Sequence, residues 1–259
     1  MLSPRQTRIM DMARRHGQVD VDGLAAHFSV TPQTIRKDLN DLCNRELLGR
    51  VHGGAVLPTG ATNFAYEARR TLNAEGKQRI GMRAAALIPN GASLILNIGT
   101  TTEQVALALR GHNGIMAVTN NINVANILRE VESAEVVIAG GVVRHSDGGV
   151  VGEAAVEFVR QFKVDFAVIG ASAIDGDGTI LDYDFREVKV SQAIIAHARH
   201  TILVTDSSKF SRTAPVRIGN LCDIGTLVTD APPPEDIARY CAERGVRLEI
   251  ASDEKGQTA

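Results

Sequence analysis

From residue 93 to residue 250 the chain alternates short apolar runs with helical patterns, and no other feature restricts the possible folds as much. The apolar runs cover 93–98, 116–119, 135–139, 166–170, 201–205, 226–229 and 247–250. Between several of them, over 102–109, 123–129, 153–162, 187–198 and 235–243, apolar residues recur at helical spacing. A strand that is apolar on both faces must be covered on both faces. The alternation therefore predicts an α/β domain with a mainly parallel sheet between layers of helices. One more helix is expected over 74–88, ended by Pro89-Asn90-Gly91.

The first 57 residues follow another pattern. Ile9, Met12 and Ala13 recur at helical spacing, and Gly17 stands where a left-handed C-terminal cap would fall. Asp20 can cap a short second helix carrying Leu24, Ala25 and Phe28, and Ser29-Val30 makes a turn. Thr31 followed by Pro32 is a strong start signal for a third helix. That helix gathers Ile35, Leu39 and Leu42 on one face and shows Gln33, Thr34, Arg36, Lys37, Asn40 and Asn44 on the other. Two very short strands around Gly53-Gly54 have the size of a wing. Three helices, a tight turn and a wing predict a winged helix-turn-helix, whose third helix enters the major groove of duplex DNA. Gln33 and Arg36 have the donor geometry to read adenine and guanine edges. Thr31, Thr34, Lys37 and Arg50 suit phosphates, and His52 lies on the wing beside them. Asp38 and Asp41 fall away from the Gln33/Lys37 side. The segment carries eight Arg or Lys against six Asp or Glu although the whole chain has net charge −2. A weakly basic module on an acidic body is compatible with DNA binding.

With 259 residues there is room for two modest domains. The expected division is a DNA-binding domain 1–57, a linker 58–73, a larger domain 74–251 and a polar tail 252–259. Cys43, Cys222 and Cys241 are far apart with no C-x-x-C spacing, which fits a reduced, cytoplasmic setting and gives no metal or redox site. Arg5, Arg8, Asp11, Arg14 and Arg15 interrupt any leader-like apolar stretch, and no run approaches the roughly 18 residues of a membrane span. No organic cofactor is expected.

In the larger domain the clearest chemical feature is Asn97-Ile98-Gly99-Thr100-Thr101-Thr102, which follows a strand and opens a helix. Free amides at a helix N-terminus, a flexible Gly and three hydroxyls make an anion site, and a phosphate is the natural guest for Gly99, Thr100, Thr101 and Thr102. No Lys follows at Walker spacing and no G-x-G-x-x-G is present, so neither a nucleotide P-loop nor a dinucleotide fold is indicated. Other polar clusters sit where apolar runs end: Thr119-Asn120-Asn121, Gly140-Gly141 with Arg144, Asp147-Gly148-Gly149 with Gly152-Glu153, Asp175 to Gly178, Glu187 with Lys189, and Asp206 with Ser208-Lys209. In a parallel sheet these ends share one edge, so the clusters can converge on one pocket.

The stretch Phe28-Ser29-Val30-Thr31-Pro32-Gln33-Thr34-Ile35-Arg36-Lys37-Asp38-Leu39-Asn40-Asp41-Leu42, with Arg50-Val51-His52-Gly53-Gly54-Ala55 after it, resembles the signature of DeoR-type bacterial repressors. The resemblance runs to about residue 250 and includes Thr119-Asn120-Asn121-Ile122-Asn123-Val124-Ala125-Asn126 and Thr229-Asp230-Ala231-Pro232-Pro233-Pro234. It implies a sensor domain similar in fold to ribose-5-phosphate isomerase, a homo-oligomer (dimer or tetramer) on operator DNA, and no membrane partner. It also implies a phosphorylated effector, glycerol-3-phosphate or a sugar phosphate. On this resemblance Gly99 to Thr102 hold the phosphate, while Asn120, Asp147, Gly149, Glu187, Lys189 and Lys209 are candidates for the effector's other end. A sugar-phosphate isomerase is the rival reading, since Asp182, Asp184, Glu187 and Lys189 supply a carboxylate base beside a lysine. Leu181-Asp182-Tyr183-Asp184-Phe185-Arg186, however, lacks the lysine-plus-glycine run of the related isomerases, so no catalytic residue is expected.

Overall fold

The computed structural model describes residues 2–16, 18–45, 47–51, 53–56 and 66–252. The expected cap at Gly17, wing residue His52, domain-end residue Leu57, linker positions 58–65 and tail positions 253–259 lie outside the described residues. The chain forms two compact units, 1–72 and 73–259.

In the first unit α1 (Pro4–His16) leads to β1 (Gln18–Asp20), α2 (Val21–Phe28), α3 (Pro32–Asn44), β2 (Gly49–Val51) and β3 (Gly54–Val56). The Asp20 side chain accepts from the Gly23 amide and starts α2, and Ser29 ends it in the left-handed region at φ 52°. Thr31 caps α3 by accepting from the Thr34 amide, with Pro32 in the first turn. Ile35, Leu39 and Leu42 are fully buried against Ile9, Ala13 and Leu24, so α3 is clamped along one face. The wing strands pair antiparallel, Arg50 with Ala55 and Val51 with Gly54. A third strand joins them, since β1 pairs with β3. Helix α4 (Tyr66–Thr71) lies within the segment expected as linker. The breakers that suggested a linker stop at Asn63, and Glu67-Ala68-Arg69-Arg70 are good helix formers.

The second unit runs α5 (Ala74–Ala85), β4 (Ser93–Leu96), α6 (Thr100–Ala108), β5 (Met116–Thr119), α7 (Ile122–Leu128), β6 (Glu135–Ile138), β7 (Val142–Val143), β8 (Val150–Val151), α8 (Glu153–Val159) and β9 (Val164–Ile169). It continues through β10 (Ala173–Ile174), β11 (Thr179–Asp182), α9 (Phe185–Ala196), β12 (Ala198–Val204), β13 (Val216–Asn220), β14 (Thr226–Thr229), α10 (Glu235–Arg244) and β15 (Arg247–Ile250). Seven strands, one from each apolar run, form a sheet ordered β15-β14-β12-β9-β4-β5-β6. Every pairing in it is parallel. Side chains alternate between two cores. Leu94, Leu96, Val168, Ile202 and Val204 pack with α5, α6 and α7 on one face. Ile95, Val118, Ile169, Leu203 and Leu227 pack with α8, α9 and α10 on the other. The interior strands are buried on both faces, as the sequence pattern requires, while the edge strands β6 and β15 are partly exposed.

Two small antiparallel sheets complete the unit: the hairpin β7-β8, and β10-β11-β13 with a register shift between Ile180 and Leu181. The large sheet grows from β4 to β5 and β6 in one direction, then restarts at β9 on the other side of β4. That reversal is a topological switch point. The connections from β4 and β9 leave a crevice at the carboxyl ends of the strands there, where ligands of open α/β sheets bind.

Candidate functional site

The loop after β4 enters this crevice. Gly99 has φ 146°, a region in which only glycine is unstrained, and it is the N-cap of α6 with no side chain to close the helix end. The amides of the first turn are therefore left for another acceptor. Thr100, Thr101 and Thr102 are all buried. Their hydroxyls divide in role. Thr102 Oγ1 lies 2.9 Å from the Asn97 carbonyl and 2.6 Å from the Gly99 carbonyl, so it donates inward and braces the loop. Thr100 and Thr101 make no such brace and remain able to bond an anion at the helix end.

Neighbouring strand ends close around this loop. A Cβ built on Gly170, just after β9, would lie 3.8 Å from the Ile98 carbonyl and 3.9 Å from the Val204 carbonyl. Gly149, after the turn of the β7-β8 hairpin, packs on Ile98 so closely that a Cβ there would sit 2.5 Å from Ile98 Cδ1. Asn120 holds the same hairpin, its Nδ2 donating to the Val150 carbonyl at 3.1 Å while its backbone carbonyl accepts from the Val150 amide at 2.7 Å. Asp147 accepts from the Gly149 amide at 3.3 Å. The structure thus brings Asn120, Asp147 and Gly149 to the loop that precedes α6.

Arg144 organises the wall above them. Its guanidinium reaches Asp147 at 2.6 Å, Glu187 at 2.5 Å and Asp184 at 3.1 Å, with all four side chains mostly buried. These contacts tie the hairpin to the start of α9. Burial would lower the Arg144 pKa, but hydrogen bonds and charge from Asp147 and Glu187 raise it instead. Asp184 would be raised by burial, yet hydrogen bonds from Arg186 and Arg144 hold it down to about 2. Glu187 goes the other way. Burial and the neighbouring Asp182 push it up to about 7 against the pull of Arg144. Arg144, Asp182 and Asp184 complete a wall of which Asp147 and Glu187 were the expected members.

Lys189 does not join this wall. It lies two residues beyond Glu187 on α9, about 200° around the helix. It is exposed and faces Glu153 at 3.9 Å, in a groove between α8 and α9. Lys209 follows β12 in a short helical turn and is buried beside Asp206. Burial alone would raise Asp206, but Lys209 and Lys77 hold its carboxyl below the usual range. The ends of β12 and β14 also bury three oxygens that have no partner among the described residues, Thr205 Oγ1, Asp206 Oδ2 and Thr229 Oγ1.

In the first unit Thr31, Gln33, Arg36 and Lys37 are exposed and Thr34 is half-buried, all near the start of α3. Asp38 turns inward to Arg5 at 2.5 Å, and Asp41 accepts from Gln6 Nε2 at 2.7 Å. Both acids are therefore spent on α1, which leaves the outer face basic and polar. Arg50 lies on β2.

Two family descriptions match this chain: a DeoR-like helix-turn-helix domain over residues 5–60 and the DeoR C terminal sensor domain over residues 72–231. The chain belongs to the DeoR family. Relatives within and around that family agree with the assignment. The glycerol-3-phosphate regulon repressor of Escherichia coli (strain K12) is 43% identical over 95% of this chain and 98% of its own. The protein of the same description from Haemophilus influenzae is 46% identical over 96% and 97% respectively. The transcriptional repressor CsqR of Escherichia coli is 36% identical over 90% and 89%. Among solved structures, ribose 5 phosphate isomerase A from Neisseria gonorrhoeae aligns with 52% of this chain and 53% of its own, at 12% identity and TM-score 0.39. Among the described residues no helix of this DeoR-family chain is long and apolar enough to cross a membrane.

Proposed function

We propose that this chain is a transcriptional repressor that binds operator DNA as a homo-oligomer and loses affinity for it when a small phosphorylated polyol, of the glycerol-3-phosphate class, occupies the switch-point site. The observation that carries the reading is the union in one chain of two devices. One is a rigidly clamped helix with Gln33 and Arg36 exposed at its start. The other is a helix N-terminus closed by glycine alone at the point where the sheet reverses. The first suits base edges, with Thr31, Thr34, Lys37 and Arg50 on phosphates. The second suits a phosphate held by backbone amides with Thr100 and Thr101. Similarity to two glycerol-3-phosphate regulon repressors, at 43% and 46% identity over 95% and 96% of this chain, supports that effector over a sugar phosphate.

The ligand must prefer the state that binds DNA weakly, since only differential affinity shifts an equilibrium. Fluorescence anisotropy on a labelled operator, titrated with glycerol-3-phosphate and with five- and six-carbon sugar phosphates, tests the reading. Release by the three-carbon polyol at the lowest concentration is expected, and no effect from any of them refutes it.

The enzyme reading has one specific feature in its favour, a Glu187 carboxyl pushed up to about 7 by burial and by Asp182. Against it, that carboxylate is bonded to Arg144 at 2.5 Å, and Lys189 lies on another face of α9. Product formation from any polyol or sugar phosphate by the full-length protein would reverse this judgement.

A further inference from the structure

Two side-chain oxygens at the switch point, Asn97 Oδ1 and Asn120 Oδ1, are buried without a hydrogen-bond partner among the described residues. Neither amide can turn over to hide its oxygen. Asn120 Nδ2 donates to the Val150 carbonyl at 3.1 Å, and a carbonyl can only accept. Asn97 Nδ2 donates to Ser191 Oγ at 2.8 Å, while the Ser191 hydroxyl donates to the Glu187 carbonyl at 3.1 Å. With its own proton committed there, Ser191 must accept from Asn97. The Asn97 oxygen is then the atom left over.

The two asparagines directly follow Leu96 and Thr119, register partners on adjacent parallel strands, so they stand side by side. Ile95 and Val118, two residues earlier on each strand, face the core packed by α9, and Asn97 and Asn120 share that face. Asp147 and Glu187 overlook the same end, both drawn to Arg144. Arg144 commits its donors to Asp147, Asp184 and Glu187, so the unmet groups at this end are the asparagine acceptors. Leaving a buried acceptor unmet is costly, so a guest that brings hydroxyl protons is favoured there. An anion is repelled from the wall and left to the open amides of α6.

We infer that Asn97 and Asn120 select the effector by its oxidation state, accepting from the hydroxyl of a CH–OH carbon and rejecting a carbonyl at that position. Ser191 is the positioning residue that keeps the Asn97 oxygen turned toward the ligand. This deepens the proposed effector site and rests on it. A carbonyl oxygen would meet the amide oxygens lone pair to lone pair, with no proton between them.

Isothermal titration of the full-length protein with glycerol-3-phosphate and with dihydroxyacetone phosphate tests the inference, because the two share skeleton and phosphate and differ at the central carbon. The polyol is expected to bind at least about tenfold more tightly. Ser191→Ala frees the Asn97 amide to rotate and present its NH2, so the ratio should narrow toward one while circular dichroism stays native. Asn97→Leu should narrow it as well, by removing the acceptor. Affinities within about twofold in the native protein, or a ratio unmoved in both variants, overturn the inference and leave the phosphate site standing. Failure of every phosphorylated compound to bind overturns the proposed effector site itself, and the inference with it.

Discussion

Replacing Glu187 with Gln should stabilise the protein, and only in neutral to alkaline solution. Burial and the charge of Asp182 outweigh Arg144 and move the Glu187 carboxyl from 4.5 to about 7. At about 1.4 kcal/mol per pH unit, ionising this group in the folded protein costs roughly 3 kcal/mol more than in the unfolded chain. Because the folded value is raised, the folded state holds the proton more tightly. The stabilising contribution is complete below about 4.5, declines as pH climbs to about 7 and is gone above it. Gln is neutral throughout, and its amide oxygen can still accept from Arg144 Nη2. The variant should match the native protein near about pH 4.5 and exceed it by roughly 3 kcal/mol near about pH 8. Urea unfolding read by circular dichroism across that range measures the difference, and hydrogen exchange of the α9 amides assigns it to this helix. Parallel pH profiles for the two proteins would refute the electrostatic account. So would a Gln variant that is less stable at the alkaline end.

Arg36→Ala should flatten discrimination between operator and unrelated duplex by about 1–3 kcal/mol in competition binding, while effector affinity measured by calorimetry stays unchanged. Gly149→Ala places a methyl 2.5 Å from Ile98 Cδ1. Displacing Ile98 should cost about 1–3 kcal/mol in thermal unfolding and weaken effector binding, with operator binding retained. Thr102→Val removes the donor shared by the Asn97 and Gly99 carbonyls, so both stability and effector affinity should fall. Thr101→Val keeps that brace and should lower effector affinity alone, a contrast that thermal shift with and without ligand would show.

The seven strands of the large sheet were legible because a parallel strand buried on both faces is a continuous apolar run, which needs no knowledge of its partner. Helix α3 was equally legible, since Thr31, Pro32 and the Ile35, Leu39, Leu42 stripe act within one segment. Apart from the two wing strands, the small elements were not. Strand β1 is three residues long and exists through pairing with β3, more than thirty residues later. The β10-β11-β13 sheet is built from short pieces with a register shift, so no alternation survives to be read. The Gly-Thr-Thr-Thr loop that opens α6 was visible locally, whereas the division of labour among its threonines depends on where each hydroxyl points. Lys189 was grouped with Glu187 by proximity in sequence, which a helix undoes within two residues. Asn97 was legible only as the first residue of the loop before α6, because an Asn after an apolar run is ordinary turn chemistry and its freed oxygen depends on Ser191, far along the chain.

The reversal of strand order at β4 has a consequence for how the protein is made. Leu94 pairs with Ala117 on one side and with Phe166 on the other. On the ribosome the first partner emerges soon after β4, but the second follows only once β6, the β7-β8 hairpin and α8 have been synthesised. At about 5–20 residues per second the nascent chain spends some seconds as a half-sheet whose growing edge is β4. Throughout that interval β4, an interior strand of the finished sheet, has one open edge carrying Leu94, Ile95 and Leu96, available to pair with another chain. The reader unit precedes all of this, so a chain interrupted before β9 would carry a finished DNA-binding head on a body prone to aggregate.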